Sequence, residues 1–461
     1  DVENRMGDIK SHLMKCSKDS ETIELVKKYL AKKKHIERKG SVKYLFAFDE
    51  ARTLISKNDG IKSVRKNSLF YYIRRALILL PKEAGIFAIF TDTHSNISNF
   101  SPVSYLDPSK RVAEEGFILF EPFYLLDTVD MNVNFKKVMT LKESADPQHF
   151  FQYGRPLWGA LLMPSSDTKG MESEHIIELA MDKLIGGKFF SVWKKDLKDS
   201  QKKIDILETL AILGPRLCIE IAPQSGYAPD LIANNMRLCI NILEDRKYIV
   251  TSMPTEPVLA EASARIMNDP HVSLTELINQ LSEALKKGVV EAGYRGELTA
   301  RLLLLNAWDC CIKKKNEKEK NSDDTNISKN YFRFVTLEEF LKSLLADNVY
   351  EKIKNRLEET VKFTGRKFSE AYIKFTHFIN ITYTPDRKDL GDALIRGVAF
   401  SCKRNQQGAD IIIPTYMGTL DETVDEDRIS YILIQVKNHS TNNKGHGYLK
   451  SATTMLSPAY I

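Results

Sequence analysis

The stretch that decides the fold reads Gly408-Ala409-Asp410-Ile411-Ile412-Ile413-Pro414 and continues, after a loop, as Ile429-Ser430-Tyr431-Ile432-Leu433-Ile434-Gln435-Val436-Lys437-Asn438. The two short apolar runs predict two strands, which begin after Asp410 and end before Gln435 and Lys437. Because side chains alternate along a strand, Gln435 and Lys437 are expected on one face, with Val436 on the other. An acid, an amide oxygen and an amine that meet at one sheet edge can hold a hard cation and position a water molecule.

These residue types are the polar groups of a metal-dependent phosphodiesterase. Asp410 would be a direct carboxylate ligand of Mg²⁺, and Gln435 would add its side-chain carbonyl oxygen. The backbone carbonyl of Val436 would add a further oxygen. Lys437, beside the metal, would stabilise the attacking hydroxide and the charge that develops on phosphorus.

A further acid is expected from a helix upstream of the two strands. The segment 370–378 has helical spacing, and Glu370 at its start is the first candidate ligand, with Asp392 as a second option. The alternative interpretation is structural, with Asp410 as a turn residue and Lys437 as an exposed strand end. The joint pattern of acid, strand, loop, strand and Gln-x-Lys favours the nuclease interpretation.

Length and composition limit the number of domains, the kind of partner and the environment of the protein. The chain has 461 residues, which predicts two or three domains, and its net charge of +6 permits an anionic partner. No apolar run approaches the roughly 20 residues that cross a bilayer, so no membrane association is expected. The six cysteines form no CxxC pair and no zinc-ligand spacing, and no signal peptide is visible. An intracellular, reducing environment is therefore predicted.

The pattern of apolar residues divides the chain into four regions. Residues 1–172 alternate buried-strand and helix patterns and are predicted to be an α/β domain. Residues 173–312 show helical spacing throughout and predict a helical domain. Residues 313–330 are highly charged and predict a disordered linker or a surface insertion. Residues 331–461 carry the two strands described above and predict a second α/β domain.

The first α/β region contains an acidic strand end typical of nucleotide hydrolases. Phe46-Ala47-Phe48 is followed by Asp49 and Glu50, which in a P-loop protein would hold Mg²⁺ and orient the attacking water. The next apolar strand ends before Thr91, which could contact a γ-phosphate from the neighbouring strand. The alternative is a strand followed by an N-capped helix.

The phosphate-binding loop that such a site requires is missing from the sequence. The pattern Gly-x-x-x-x-Gly-Lys-Ser/Thr occurs nowhere, and the nearest string, Gly186-Gly187-Lys188-Phe189, lacks the first glycine and the hydroxyl residue. ATP is therefore expected as a cofactor only if a phosphate loop lies upstream of Asp1. Arg155, in Gly154-Arg155-Pro156-Leu157-Trp158, can reach a nucleotide phosphate or a neighbouring subunit's site, or belong to a surface turn anchored by Trp158.

The C-terminal strands resemble the PD-(D/E)xK, restriction-endonuclease-like superfamily, in the variant where glutamine replaces the second acid. The whole arrangement resembles the Crinkler-type proteins of fungi and oomycetes, which join a P-loop NTPase module of the AAA+/STAND type to such a domain. The strings that carry the resemblance are Phe48-Asp49-Glu50-Ala51, Gly154-Arg155-Pro156-Leu157-Trp158, Arg295-Gly296-Glu297-Leu298-Thr299-Ala300-Arg301, Phe375-Thr376-His377-Phe378, and Asp410 with Gln435-Val436-Lys437-Asn438.

The resemblance implies a multi-domain α/β protein with a partial P-loop NTPase-like domain, a helical middle domain and a nuclease-like domain. It implies an effector-like or transposon-related protein that acts on DNA with Mg²⁺, in a nucleus or in a host cell, and that can oligomerise through the NTPase module. It makes Asp49 and Glu50 the Walker B acids. The competing expectation is a non-enzymatic regulator that uses degenerate ATPase and nuclease folds to bind DNA or other proteins.

Overall fold

The computed structural model describes thirteen stretches of the chain. They are residues 42–54, 69–79, 85–92, 123–124, 126–134, 139–162, 170–199, 203–243, 248–291, 295–320, 330–364, 370–402 and 409–436. The fold is mixed α/β and divides into two compact units. The first unit comprises residues 1–122 and 242–248, and the second comprises residues 123–241 and 249–461.

The described part of the first unit is a β-α-β element. Strand β1 (Tyr44–Phe48) is parallel to β2 (Ile86–Phe90), and helix α1 (Leu69–Leu79) lies between them in the chain. The rings of Phe48 and Phe90 stack with centroids 4.8 Å apart, and Phe70 of α1 packs edge-on against Phe90 at 5.0 Å. The prediction of parallel strands with an intervening helix is confirmed here.

The second unit begins with helices. In chain order they are α2 (Leu141–Ser144), α3 (Pro147–Phe150), α4 (Pro156–Leu162), α5 (Ser173–Leu184), α6 (Phe190–Lys198), α7 (Ile206–Leu217) and α8 (Ala228–Asn234). Strands β3 (Leu238–Ile242) and β4 (Ile249–Ser252) then pair with each other, before α9 (Pro257–Met267), α10 (Leu274–Lys286) and α11 (Arg295–Lys320).

The rest of the second unit supplies a six-stranded sheet. Its elements are β5 (Val335–Thr336), α12 (Leu337–Leu344), α13 (Asp347–Thr364), β6 (Ala371–Ile373), β7 (His377–Asn380), α14 (Arg387–Arg396), β8 (Val398–Ser401), β9 (Ile411–Met417) and β10 (Ile429–Ile434). The strand order is β5-β6-β9-β8-β7, and β10 pairs with β9. Strands β7 and β8 are parallel, whereas β9 is antiparallel to β8, β6 and β10.

This topology brings four strand ends to one edge of the sheet. The carboxyl ends of β7, β8 and β10 and the start of β9 lie together there. One face of the sheet packs against the helical core through Phe375, Ile411 and Ile413, and the other packs against α14 through Phe400 and Ile412. The predicted strands around Asp410 and Gln435 are therefore confirmed, with β9 buried and β10 half-buried beside it.

Three predicted segments differ from the structure. The segment 370–378, expected to be a helix, forms β6 and the start of β7, because Ile373, Phe375 and Phe378 are buried in the core that the sheet shares with the helices. The region 173–312 is not purely helical, since it contains the β3–β4 pair. The charged region 313–330 begins as the last turns of α11, which extends to Lys320.

Arg333 explains why this charged stretch is helical. Its guanidinium donates two hydrogen bonds of 2.8 Å to the carboxylate of Glu319 and one of 2.8 Å to the side-chain oxygen of Asn316. These bonds attach the last turn of α11 to the chain that leads into β5, so the local polar composition does not prevent helix formation. Among the described residues, no helix is long and apolar enough to span a membrane.

Candidate functional site

Asp410 and Gln435 meet at the sheet edge where β9 begins and β10 ends. The backbone N–H of Asp410 donates to the carbonyl oxygen of Ile434 at 2.9 Å. The N–H of Val436 donates to the Asp410 carboxylate at 2.5 Å. Gln435 lies between these two bonded residues, so its backbone is held next to Asp410.

The end of the β9–β10 ladder holds this arrangement. Ile434 is the register partner of Ile411, and its carbonyl oxygen also accepts the hydrogen bond from Asp410. The Asp410 carboxylate bonds in turn to the backbone that follows β10.

A second carboxylate, from α11, acts on the neighbouring residue Cys402. The thiol of Cys402, at the end of β8, has its pKa raised to about 11, first by burial and then by the negative charges of Asp410 and Glu297. Cys402 also donates its backbone N–H to the carbonyl oxygen of Asp410 at 2.9 Å. Glu297 belongs to the first turn of α11 and is half-buried. Glu297 and Asp410 thus both lie close enough to the Cys402 thiol for their charges to act on it.

Glu370, the predicted third ligand, lies at the opposite end of the sheet. It directly precedes β6, where Ala371 is the register partner of Met417 at the far end of β9. Met417 is seven residues along the strand from Asp410, which corresponds to about 23 Å at about 3.3 Å per residue. Glu370 and Asp410 therefore cannot bind one metal ion. The error came from assigning residues 370–378 to a helix that could fold back over the sheet.

Asp392, the second option, has a different set of charged neighbours. It lies in α14 and is exposed, and partial desolvation raises the pKa of its carboxyl. The charges that act on it are those of Lys388, Asp389, Arg396 and Glu426.

The signal for Glu297 was present in the sequence. Gly296-Glu297 opens the strongly apolar run Leu302-Leu303-Leu304-Leu305, so the acid stands at the start of a buried helix. An acid in the first turn of a helix is also what the helix dipole favours, which gives it an ordinary structural explanation. Only the effect of its charge on Cys402, just after β8, separates the two explanations.

Lys437 lies outside the described residues, and so does the rest of the chain after Val436. Within the described stretches, no three side chains of His, Cys, Asp or Glu converge closely enough to hold a metal ion. A cation at this edge would therefore need oxygen from Gln435 or from the backbone as well as from Asp410 and Glu297. Mg²⁺ accepts such a set, because it binds few carboxylates and keeps several waters.

Two family comparisons cover most of the sequence. The family described as Domain of unknown function (DUF8736) matches residues 195–461, which is more than half of the chain. The chain belongs to the DUF8736 family. A second family, Domain of unknown function (DUF8735), matches residues 7–126. Neither a curated protein nor a solved structure matches the chain. The DUF8736 region contains Glu297, Cys402, Asp410 and Gln435, and the DUF8735 region contains the β1–β2 pair.

The acidic strand end of the DUF8735 region has the neighbour that its sequence predicts. The hydroxyl of Thr91, just after β2, donates to the carboxylate of Asp49, just after β1, at 2.8 Å. The same carboxylate oxygen accepts the N–H of Glu50 at 3.0 Å, and Glu50 has a left-handed backbone with φ of 50°. Parallel pairing has thus brought Asp49 and Thr91 together at the carboxyl ends of two strands.

Arg155 precedes the DUF8736 region and forms a buried ion pair in the second unit. Its guanidinium lies 2.8 Å from the carboxylate of Glu256, whose side chain is fully buried. The indole N–H of Trp158 donates to the other oxygen of Glu256 at 2.6 Å. Gly154 is required beside them, because an added Cβ would lie 2.1 Å from Cγ of Glu256. The string Gly154–Trp158 therefore encloses a buried carboxylate, and Arg155 is already neutralised by it.

The string Gly186-Gly187-Lys188-Phe189 precedes α6 without forming a phosphate site. Both glycines have left-handed backbones, with φ of 83° and 77°. The N–H of Phe190, the first residue of α6, donates to the carboxylate of Asp182 at 2.6 Å. An acid of this chain thus already occupies the position where a helix start would bind a phosphate.

Proposed function

We propose that the DUF8736 region is a Mg²⁺-dependent nuclease that hydrolyses DNA phosphodiester bonds at the β9–β10 edge. The observation that carries this proposal is the pair of hydrogen bonds from Asp410 to the residues on either side of Gln435. They hold the Asp410 carboxylate beside the backbone of Gln435, which supports the proposal that these two side chains share a cation.

In this proposal Asp410 and Glu297 supply the two carboxylate ligands, and Gln435 supplies a neutral oxygen. The Val436 N–H holds the Asp410 carboxylate in place and leaves its other oxygen for the cation. Bound Mg²⁺ would polarise the scissile phosphate and lower the pKa of a coordinated water. Lys437 would donate to the hydroxide or to the phosphate oxygen that gains charge.

Plasmid cleavage is the direct experiment. Wild type should nick supercoiled DNA with Mg²⁺ and lose that activity with EDTA, and cleavage should weaken steeply with salt. Asp410→Asn and Lys437→Ala should each lower the rate by a factor of at least about 100. Glu370→Gln is the matched control, because Glu370 is an acid at the far end of β9. Equal cleavage by wild type and Asp410→Asn, or no cleavage with any divalent cation, would remove the proposal.

A second candidate is a DNA-binding regulator without catalysis. The observation that favours it is that no three His, Cys, Asp or Glu side chains converge among the described residues. DNA binding that is unaffected by EDTA and by Asp410→Asn, in a protein that cleaves no substrate, would support this candidate.

The first unit is proposed to be a regulatory module derived from a P-loop NTPase. The Thr91–Asp49 hydrogen bond supports this, because an acid and a hydroxyl from adjacent parallel strands are the residues that contact Mg²⁺ and phosphate in such modules. Equilibrium dialysis with ATP and Mg²⁺ tests it. Binding that is lost in Asp49→Asn would support the module, and absence of binding by wild type would remove the nucleotide from the account.

A further inference from the structure

A second polar pair lies at the same sheet edge as Asp410. Asn380 is the last residue of β7, and the next N–H, that of Ile381, donates to the carbonyl oxygen of Ser401 at the end of β8 at 2.9 Å. Because β8 pairs with β9, Asn380 lies two strands away from Asp410 at the same edge. Two inter-strand spacings of about 4.8 Å put their backbones about 10 Å apart.

Asn380 is bonded to a carboxylate. Its side-chain amide donates to Glu220 at 2.6 Å, and both residues are exposed. The backbone on each side is anchored. Glu220 lies between Cys218, whose left-handed backbone ends α7, and Ile221, which forms a β-bridge with Val290. The pair is therefore exposed to a ligand while its position is fixed by the fold.

The chemistry of this pair suits a nucleobase better than a phosphate. The carboxylate of Glu220 repels a phosphate but accepts a hydrogen bond from an exocyclic amino group, as Glu does with cytosine. The amide of Asn380 keeps one N–H and its oxygen for a ligand, and Asn can recognise adenine in this way. A nucleic acid that presents its phosphate to Asp410 would therefore present a base edge to Glu220 and Asn380.

We propose that Glu220 and Asn380 select the base about three nucleotides from the bond that is cleaved. The offset follows from the separation of about 10 Å and a duplex rise of about 3.4 Å per nucleotide of a strand. This inference rests on the proposed nuclease function. It adds a sequence preference, and it names the two side chains that set it.

Sequencing of cleavage ends from a randomised DNA library tests the inference. Wild type should show a base preference on the order of tenfold at a position two to four nucleotides from the cut. Glu220→Gln and Asn380→Ala should flatten or change that preference, with cleavage still dependent on Mg²⁺. Glu283→Gln is the matched control, since Glu283 is an exposed acid of α10 paired with Lys286, and it should keep the wild-type preference.

Identical preferences in wild type, Glu220→Gln and Asn380→Ala would overturn the inference while leaving the nuclease intact. If wild type cleaves nothing, the proposed function fails, and the same library is selected for binding with Ca²⁺. A bound pool whose preference changes in Glu220→Gln and not in Glu283→Gln would support the two residues as base readers. A pool without preference, or without binding, would overturn their assignment.

Discussion

The Arg155–Glu256 pair gives the sharpest test of a buried interaction in this fold. Changing Arg155 to Met keeps the length of the side chain and leaves the fully buried Glu256 without its cation. Removal of one member of a buried ion pair costs about 3 to 5 kcal/mol of unfolding free energy. Since Arg155 retains some exposure and the Trp158 N–H still bonds to Glu256, we expect the lower end, about 3 kcal/mol.

Urea unfolding followed by tryptophan fluorescence measures this loss in the second unit alone. The three tryptophans of the chain, Trp158, Trp193 and Trp308, are all buried there. With a slope of about 3 kcal/mol per molar urea, the midpoint should fall by about 1 M.

The pH dependence of the loss identifies its cause. Burial raises the pKa of Glu256, and Arg155 opposes that rise. Without Arg155, the folded protein takes up a proton on Glu256 at a pH where the unfolded chain does not, so the variant regains stability as the pH falls toward 5.

Two controls decide whether the ion pair is responsible. Adding Glu256→Gln to Arg155→Met removes the buried charge and should restore about 2 kcal/mol. Lys142→Met removes an exposed ion pair with Asp421 and should cost less than about 1 kcal/mol. A midpoint for Arg155→Met within 0.2 M of wild type, judged against the expected shift of about 1 M, would refute this reasoning.

Three further changes test the packing around the sheet. Lys374 is fully buried and donates hydrogen bonds to the carbonyl oxygens of Ser144 and Ile395. Its ammonium nitrogen also lies 4.1 Å and 4.5 Å from the ring centroids of Phe332 and Phe334. Lys374→Met should lower the unfolding free energy by about 3 kcal/mol in the same urea assay, because these oxygens lose their donor. Burial lowers the pKa of His377 from 6.5 to about 3. The unfolding free energy of wild type should therefore fall by about 1.4 kcal/mol per pH unit below pH 6.5, relative to that of His377→Gln. Parallel plots of unfolding free energy against pH for the two proteins would contradict this. Arg333→Ala should unwind the last turn of α11, seen as a small loss of helical circular dichroism; an unchanged spectrum would contradict the role of this arginine.

The sequence predicts the strands that carry the candidate site because they are continuous apolar runs with polar ends. This holds for β1 and β2, whose parallel pairing brings Asp49 to Thr91, and for β9 and β10, whose pairing brings Asp410 to Gln435. In each case a local pattern and a general rule of sheet geometry were sufficient. No tertiary information was needed.

The partners that come from distant parts of the chain could not be predicted in this way. Glu297 precedes Asp410 by more than one hundred residues, and only the fold brings its charge to act on Cys402, whose backbone bonds to Asp410. Glu370 seemed suitable because the spacing of 370–378 fits a helix as well as it fits two short buried strands. Arg155 resembled a phosphate ligand because its buried partner, Glu256, cannot be identified from local sequence.

Binding of Mn²⁺, measured by the loss of its free electron paramagnetic resonance signal on titration with protein, shows whether the β9–β10 edge holds a metal ion. We expect one site in wild type that weakens at least about tenfold in Asp410→Asn and in Glu297→Gln and is unchanged in Glu370→Gln. Absence of a site in wild type would contradict the account. So would a site that depends on Glu370 and not on Glu297.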